Sequence, residues 1–278
     1  MEKNRLTEEI RELRGMLYKK FGFEHIIAKD EKMIAVLKSV VQAAKIDSNI
    51  LLEGDSGTGK ELMAKSIHVA GSRKDAPFVA INCAAIPESL FESELFGAKK
   101  GAYTGADKDK TGFLEKAGNG TFFFDEISEI PISIQAKLLR VLQENEFYPL
   151  GGNEKINFNA RIIAATNKNL ADEVSRGNFR EDLYYRIRVI PLSLPPLRER
   201  RACIPILAHH FLNEFRDEMN KNVSQFSTKA MERLCQAQWP GNVRELKNVV
   251  EYCVAMAQSP IISQDLVMLD SDNKTDEF

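Results

Sequence analysis

The stretch Asn49-Ile50-Leu51-Leu52-Glu53-Gly54-Asp55-Ser56-Gly57-Thr58-Gly59-Lys60-Glu61 changes character twice. Its first five residues are mostly apolar and suit a buried strand. Three glycines follow within six residues, a density that neither helix nor strand supports. From Glu61 onward, apolar residues return at helical spacing. Gly54, Gly59 and Lys60 fit the pattern G-x-x-x-x-G-K, and strand before and helix after is the context which that pattern requires. Backbone N–H groups of Gly54, Asp55, Ser56, Gly57, Thr58 and Gly59, together with the helix start, can hold phosphate oxygens. Lys60 adds a point charge. Glu61 stands where Ser or Thr ordinarily meets magnesium. A carboxylate there is tolerable beside a polyphosphate if the ion or its waters lie between them.

Working outward, Phe78-Val79-Ala80-Ile81, Thr121-Phe122-Phe123-Phe124-Asp125 and Arg161-Ile162-Ile163-Ala164-Ala165 read as further short buried strands. Helical patterns over residues 30–45, 61–70 and 134–144 alternate with them. Such alternation predicts an α/β fold, a parallel sheet between helices. The composition shifts at Pro191-Leu192-Ser193-Leu194-Pro195-Pro196. No strand is expected beyond it; residues 204–219, 228–237 and 243–256 read as helices of a smaller all-helical unit. The expected division is 1–22 leading helix, 23–194 α/β unit, 195–267 helical unit and 268–278 acidic tail, read as disordered. Leu6, Ile10, Leu13 and Leu17 form one stripe on the leading helix, suited to packing on the domain or to a short coiled coil.

Asp125 and Glu126 end the third strand, and acids at the C-terminal end of a sheet strand face the ligand crevice. Asp125 is placed to hold magnesium, directly or through water, and Glu126 to act as general base on the attacking water. Phosphoryl transfer also needs positive charge at the γ-phosphate. Arg180 and Arg186 offer it, although either also reads as an ordinary surface ion-pair partner. Arg244 begins a helix of the second unit and is a further cation for a nucleotide across a domain cleft. Asn167-Lys168-Asn169-Leu170 lacks the aspartate of a guanine-reading N-K-x-D motif, which argues against a GTPase.

Between the phosphate loop and the acids lies Gly101-Ala102-Tyr103-Thr104-Gly105-Ala106, small residues around one aromatic. Alone it reads as a flexible turn; its position makes it a candidate moving part.

The chain has 278 residues with a formal net charge of −2, so nothing global points to nucleic acid or a membrane surface. No apolar run reaches the length of a membrane span, and the start Met1-Glu2-Lys3-Asn4-Arg5 is no signal peptide. Cys83, Cys203, Cys235 and Cys253 form no CxxC pair, and reduced thiols of a cytoplasmic protein are expected.

Taken in order, GDSGTGKE, ESELFGAKKGAYTGA, FFFDEI, AATN, FREDLYYRI, LPPLRER and WPGNVREL resemble the central AAA+ ATPase domain of bacterial enhancer-binding proteins, the activators of sigma-54 RNA polymerase. The resemblance runs from about residue 26 to residue 266. It implies an AAA+ P-loop NTPase fold with a helical lid, ATP and Mg as cofactors, and sigma-54 with RNA polymerase holoenzyme as partners. Lys60 and Asp125 then resemble the Walker A lysine and Walker B aspartate, and Glu126 the catalytic glutamate. Asn82 matches the asparagine that pairs with that glutamate. Thr166 and Asn167 resemble sensor I, Arg180 and Arg186 the arginine fingers offered to a neighbouring subunit, and Arg244 the sensor II arginine. Fingers acting in trans imply a ring, a hexamer when working, with a dimer or heptamer as resting forms. GAYTGA resembles the loop that contacts sigma-54.

Two positions depart from the family pattern: Tyr103 where Phe is commoner, and Cys203 where Asp is commoner. No regulatory domain and no DNA-reading helix-turn-helix is visible in the chain. A nucleotide-dependent binding module without turnover and another AAA+ remodeller, such as an unfoldase, are the alternative readings.

Overall fold

The computed structural model describes residues 28–103 and 107–269. The leading helix expected over 1–22, the expected acidic tail from residue 270 on, and Thr104, Gly105 and Ala106 lie outside the described residues. Two compact units divide the described chain: residues 36–54 and 60–193 form one, and residues 28–35, 55–59 and 194–269 the other.

Helix α1 (Glu31–Ala44) comes first, then β1 (Ile50–Glu53), α2 (Lys60–Ala70), β2 (Phe78–Asn82) and α3 (Glu88–Phe96). Strands β3 (Gly97–Ala98) and β4 (Lys110–Thr111) flank the GAYTGA segment and pair antiparallel. Then follow α4 (Phe113–Ala117), β5 (Thr121–Asp125) and α5 (Ile132–Glu144). A hairpin of β6 (Glu146–Phe147) and β7 (Ile156–Asn157) leads to β8 (Arg161–Thr166), α6 (Leu170–Ser175), α7 (Glu181–Ile187) and β9 (Ile190–Ser193).

The first unit is built on a parallel five-stranded sheet of order β2-β5-β8-β1-β9. Its strands read as unbroken apolar runs because both faces are covered. All six residues of β8 are buried, as are the first four of β5. Phe122, Phe124, Phe91, Leu95, Leu138, Leu142 and Leu183 pack into one core. The expected sheet between helices is therefore the observed one, with a fifth strand that sequence reading missed. Pro191 sits inside β9 and removes a ladder donor; β9 pairs with β1 and lies at the sheet edge, where proline is tolerated.

The second unit holds α8 (Ile204–Glu218), β10 (Gln225–Phe226), α9 (Thr228–Gln236), α10 (Asn242–Met256) and β11 (Ile261–Ile262). It is helical apart from one short parallel pair, β10 with β11. That pair corrects the expectation that no strand follows residue 196. Two-residue strands carry no readable alternation. Trp239 is 1% exposed at the centre of this core, and its indole N–H donates to Leu234 O at 2.9 Å.

Candidate nucleotide site

In the first unit the phosphate-loop lysine and the two acids come together. β1 ends at Glu53, and α2 begins with Lys60, 6% exposed, whose Nζ donates to Gly54 O at 2.8 Å. β8 separates β1 from β5 in the sheet, so Asp125 and Glu126 emerge at the same carboxyl edge. Glu126 Oε1 lies 3.8 Å from Lys60 Nζ, and Oε2 accepts the Asn167 backbone N–H at 3.1 Å. Glu126 has φ 52° and ψ 54°, a left-handed conformation that costs a non-glycine residue about 1–3 kcal/mol and clusters at functional sites. It starts the 3₁₀ turn Ile127–Glu129. Burial raises the Asp125 carboxyl above its usual range; Glu126 and Glu61 add to the effect and Lys60 opposes it. Glu61 is exposed and pairs with Lys65 at 2.7 Å.

The register sets Asn82 beside Asp125, but the Asn82 amide oxygen accepts from Ala84 N–H at 3.0 Å and caps the 3₁₀ turn Cys83–Ala85. The glutamate is instead held by Asn167 N–H. Thr166 is fully buried; its hydroxyl accepts from Lys168 N–H at 3.0 Å and contacts Ser128 Oγ at 3.4 Å, while the Asn167 side chain is exposed. Arg180 makes a two-point pair with Asp182, at 3.1 and 2.8 Å. Arg186 donates through Nε to Leu142 O at 3.0 Å, near the end of α5. Both arginines are engaged within their own chain.

In the second unit the loop tip Asp55–Gly59 is clasped by the Trp239-Pro240-Gly241-Asn242 turn. Val243 N–H donates to Gly57 O at 3.0 Å, and Arg244 Nη1 to Ser56 Oγ at 3.2 Å. Asn242 is fully buried at φ 55°; its amide donates to Ser56 O at 2.8 Å and accepts from Leu197 N–H at 2.7 Å. Gly57 has φ +76°, and a Cβ there would stand 2.2 Å from Gly241 O, so only glycine fits. Arg198 pairs with Asp55 at 3.0 Å, and Arg200 Nη2 donates to Thr58 O at 2.8 Å. Sequence reasoning singled out Arg244 and missed Asn242, Arg198 and Arg200. The run of charges Arg198-Glu199-Arg200-Arg201, directly after the apolar Leu194-Pro195-Pro196-Leu197, was the available signal.

The neck of the GAYTGA segment belongs to the first unit. Gly97 has φ +82°, and a Cβ there would lie 2.5 Å from Lys110 O. Asp109 accepts from Lys100 N–H at 2.8 Å and pairs with Lys99 at 3.0 Å; the backbone bond and then the lysine hold its carboxyl below the usual range. Leu150, in the β6–β7 hairpin, donates to Gly97 O at 3.0 Å and accepts from Lys99 N–H at 2.9 Å. Gly101 has φ +82°, Ala102 N–H donates to Lys99 O at 3.0 Å, and Tyr103 is 40% exposed.

No helix among the described residues is long and apolar enough to cross a membrane. Residues 26–193 match the sigma-54 interaction domain, and residues 198–277 match the AAA+ ATPase lid domain. The chain is similar to the regulatory protein AtoC of Escherichia coli, at 48% identity over 94% of this chain and 57% of that protein. It is similar to the Nif-specific regulatory protein of Herbaspirillum seropedicae, at 47% identity over 95% of this chain and 48% of that protein. The chain thus spans about half the length of these curated relatives. Among solved structures, NtrX from Brucella abortus in complex with ATP superposes with a TM-score of 0.83 at 32% identity, over 91% of this chain and 56% of that one. A closed state of Hsp104 shares the fold alone, with a TM-score of 0.62 at 18% identity over 89% of this chain and 47% of that one. The chain therefore belongs to the sigma-54 interaction domain family of AAA+ ATPases, the central domain of sigma-54-dependent activators.

Proposed function

We propose that the chain hydrolyses Mg-ATP and uses the energy to remodel the closed complex of sigma-54 RNA polymerase in the cytoplasm. The observation that carries this reading is the approach of Lys60 Nζ and Asn167 N–H to opposite oxygens of Glu126, beside Asp125. A carboxylate held through both oxygens is oriented before substrate arrives, and preorganised charge is where most catalytic stabilisation originates.

Each residue then has one task. Backbone N–H groups of residues 54–59 and the Lys60 ammonium hold the phosphates. Glu126 takes the proton of the attacking water. Thr166 and Asn167 fix the end of β8 against Glu126 and report the phosphate state. Asn82, beside Asp125 in register, exchanges its local cap for Glu126 when the nucleotide changes. Arg244 reads the phosphates from the second unit. Arg180 and Arg186 leave Asp182 and Leu142 O to serve a neighbouring subunit of a hexameric ring. Gly101 to Ala106 contact sigma-54, with Tyr103 supplying aromatic surface in place of the commoner Phe.

Magnesium fits the donors present. Among the described residues no group of three or more His, Cys, Asp or Glu is arranged to hold a metal by itself. Mg²⁺ commonly takes one or two carboxylates and completes its shell with phosphate oxygens and water. Burial first, and then the Glu126 and Glu61 carboxylates, raise the Asp125 carboxyl, and a divalent cation would relieve the carboxylate part of that penalty. Asp125 would hold it, with Glu61 reaching it through water. When bound, it neutralises developing phosphate charge.

The engagement of both arginines within the chain favours one alternative, a module that binds nucleotide without turnover. ATPase activity measured across protein concentration, with sizing, separates the two: activity that rises with assembly supports the enzyme, and binding without turnover at any concentration supports the module. Thr104→Ala should spare hydrolysis and abolish stimulation of open-complex formation; transcription that survives removes the loop's assigned task.

A further inference from the structure

We propose that Arg200 is a positioning residue for the phosphate loop, holding the Thr58–Gly59 peptide so that its N–H end serves a bound polyphosphate. The proposal rests on the nucleotide reading above and extends it to a residue outside the phosphate-loop motif.

Arg200 is 3% exposed, between the 3₁₀ turns Leu197–Glu199 and Arg201–Cys203. Its guanidinium has five donors and stays protonated. Nη2 donates to Thr58 O at 2.8 Å, Nη1 meets the Met33 sulfur at 3.4 Å, and Nε has no partner. Among the described residues no carboxylate forms an ion pair with it. Burial weakens its hold on the proton; Cys203 and then Asp30 act in the opposite sense. A buried cation without a carboxylate is a liability in the isolated fold. It becomes intelligible if an anion completes it.

Thr58 shows how that can happen. It is 3% exposed, and its hydroxyl donates to Asp55 O at 2.8 Å. Arg200 holds its remaining backbone acceptor. The Thr58 carbonyl and the Gly59 N–H are two ends of one amide. A charge-assisted bond at the oxygen polarises that amide and strengthens the N–H as a donor, as linked hydrogen bonds do. Gly59, at φ +102°, turns this peptide within the loop's nest of N–H groups. The guanidinium and a phosphate thus act on the same peptide from opposite ends, and each strengthens the other's bond.

The test compares Arg200→Met and Arg200→Lys in the full chain. Affinities for adenosine, AMP and ADP are measured by calorimetry, with thermal unfolding of the nucleotide-free protein alongside. Thermal unfolding of Arg200→Met serves as the fold control, since removing an uncompensated buried charge and leaving the Thr58 carbonyl without its donor act in opposite directions. The adenosine affinity of Arg200→Met should be unchanged, whereas ADP affinity should fall by about 10–100-fold, the worth of a charge-assisted hydrogen bond. Arg200→Lys retains one donor and should lie between; if Arg200→Met does not fold, that intermediate loss confined to the phosphate-bearing ligands carries the test. Equal losses for adenosine and ADP, or ADP binding within twofold of the parent, would overturn the proposal. A parent chain that binds none of the three ligands overturns instead the nucleotide reading beneath it.

Discussion

Glu126 Oε2 accepts the Asn167 backbone N–H at 3.1 Å, and this bond joins the end of β5 to the residue just after β8. The carboxylate is fixed by the sheet's own edge, while its backbone adopts the left-handed conformation. That conformation is a cost carried at the site.

Replacing Glu126 exposes this cost. Both Glu126→Ala and Glu126→Gly lose the carboxylate, but only glycine adopts φ 52° without strain. Glu126→Gly should therefore be more stable than Glu126→Ala, by about 1 kcal/mol in urea unfolding. Equal stabilities would remove the strain.

Asp125 provides a second check. Burial holds its carboxyl above the usual range in the folded chain, so stability is lost as pH rises from the ordinary carboxylate range through that raised value. At neutral pH, Asp125→Asn should raise the melting temperature of the nucleotide-free protein. The gain should shrink as pH falls into the carboxylate range, where the native aspartate is also neutral. A gain independent of pH would point to packing.

His68 works in the opposite direction along the pH axis. Its Nδ1 contacts Thr121 Oγ1 at 2.9 Å, tying α2 to the start of β5, and burial lowers its pKa below the ordinary 6.5. Below that value the unfolded chain takes up a proton that the folded chain resists. This contribution is complete above about pH 6.5 and is lost as pH falls. Urea unfolding between pH 8 and pH 5 should show a shallower decline for His68→Gln than for the parent; parallel declines would contradict it.

The GAYTGA neck predicts a separation of functions. A Cβ on Gly151, at φ +67°, would lie 2.9 Å from the Ala102 Cβ. Gly151→Ala should therefore shift the segment at Ala102, leave ATP turnover within about twofold, and lower open-complex stimulation at least about tenfold. Transcription at the parental level would show that this contact does not govern the loop.

Much of the site was legible because spacing carries it. Gly54, Gly59 and Lys60 announce a loop between strand and helix, and four sheet strands stand out as apolar runs. β9 was hidden by Pro191, whose meaning depends on the strand lying at an edge. Asn242 was hidden because Trp239-Pro240-Gly241-Asn242 reads as a breaker; its left-handed backbone and buried amide are tertiary facts. The Asn167 N–H that holds Glu126 was hidden for a similar reason: a backbone N–H has no side-chain signature. The two-residue strands at the GAYTGA neck are too short for any periodicity.

ATP turnover by Glu126→Gln, measured beside nucleotide affinity and at a protein concentration where the parent is assembled, tests the central claim most directly. The amide keeps the shape of the side chain and removes its basicity. Turnover should fall by about 10²–10⁴-fold with ATP affinity within a fewfold of the parent. Turnover equal to the parent would contradict the assignment of Glu126 as the base, and with it the account of how this chain uses ATP.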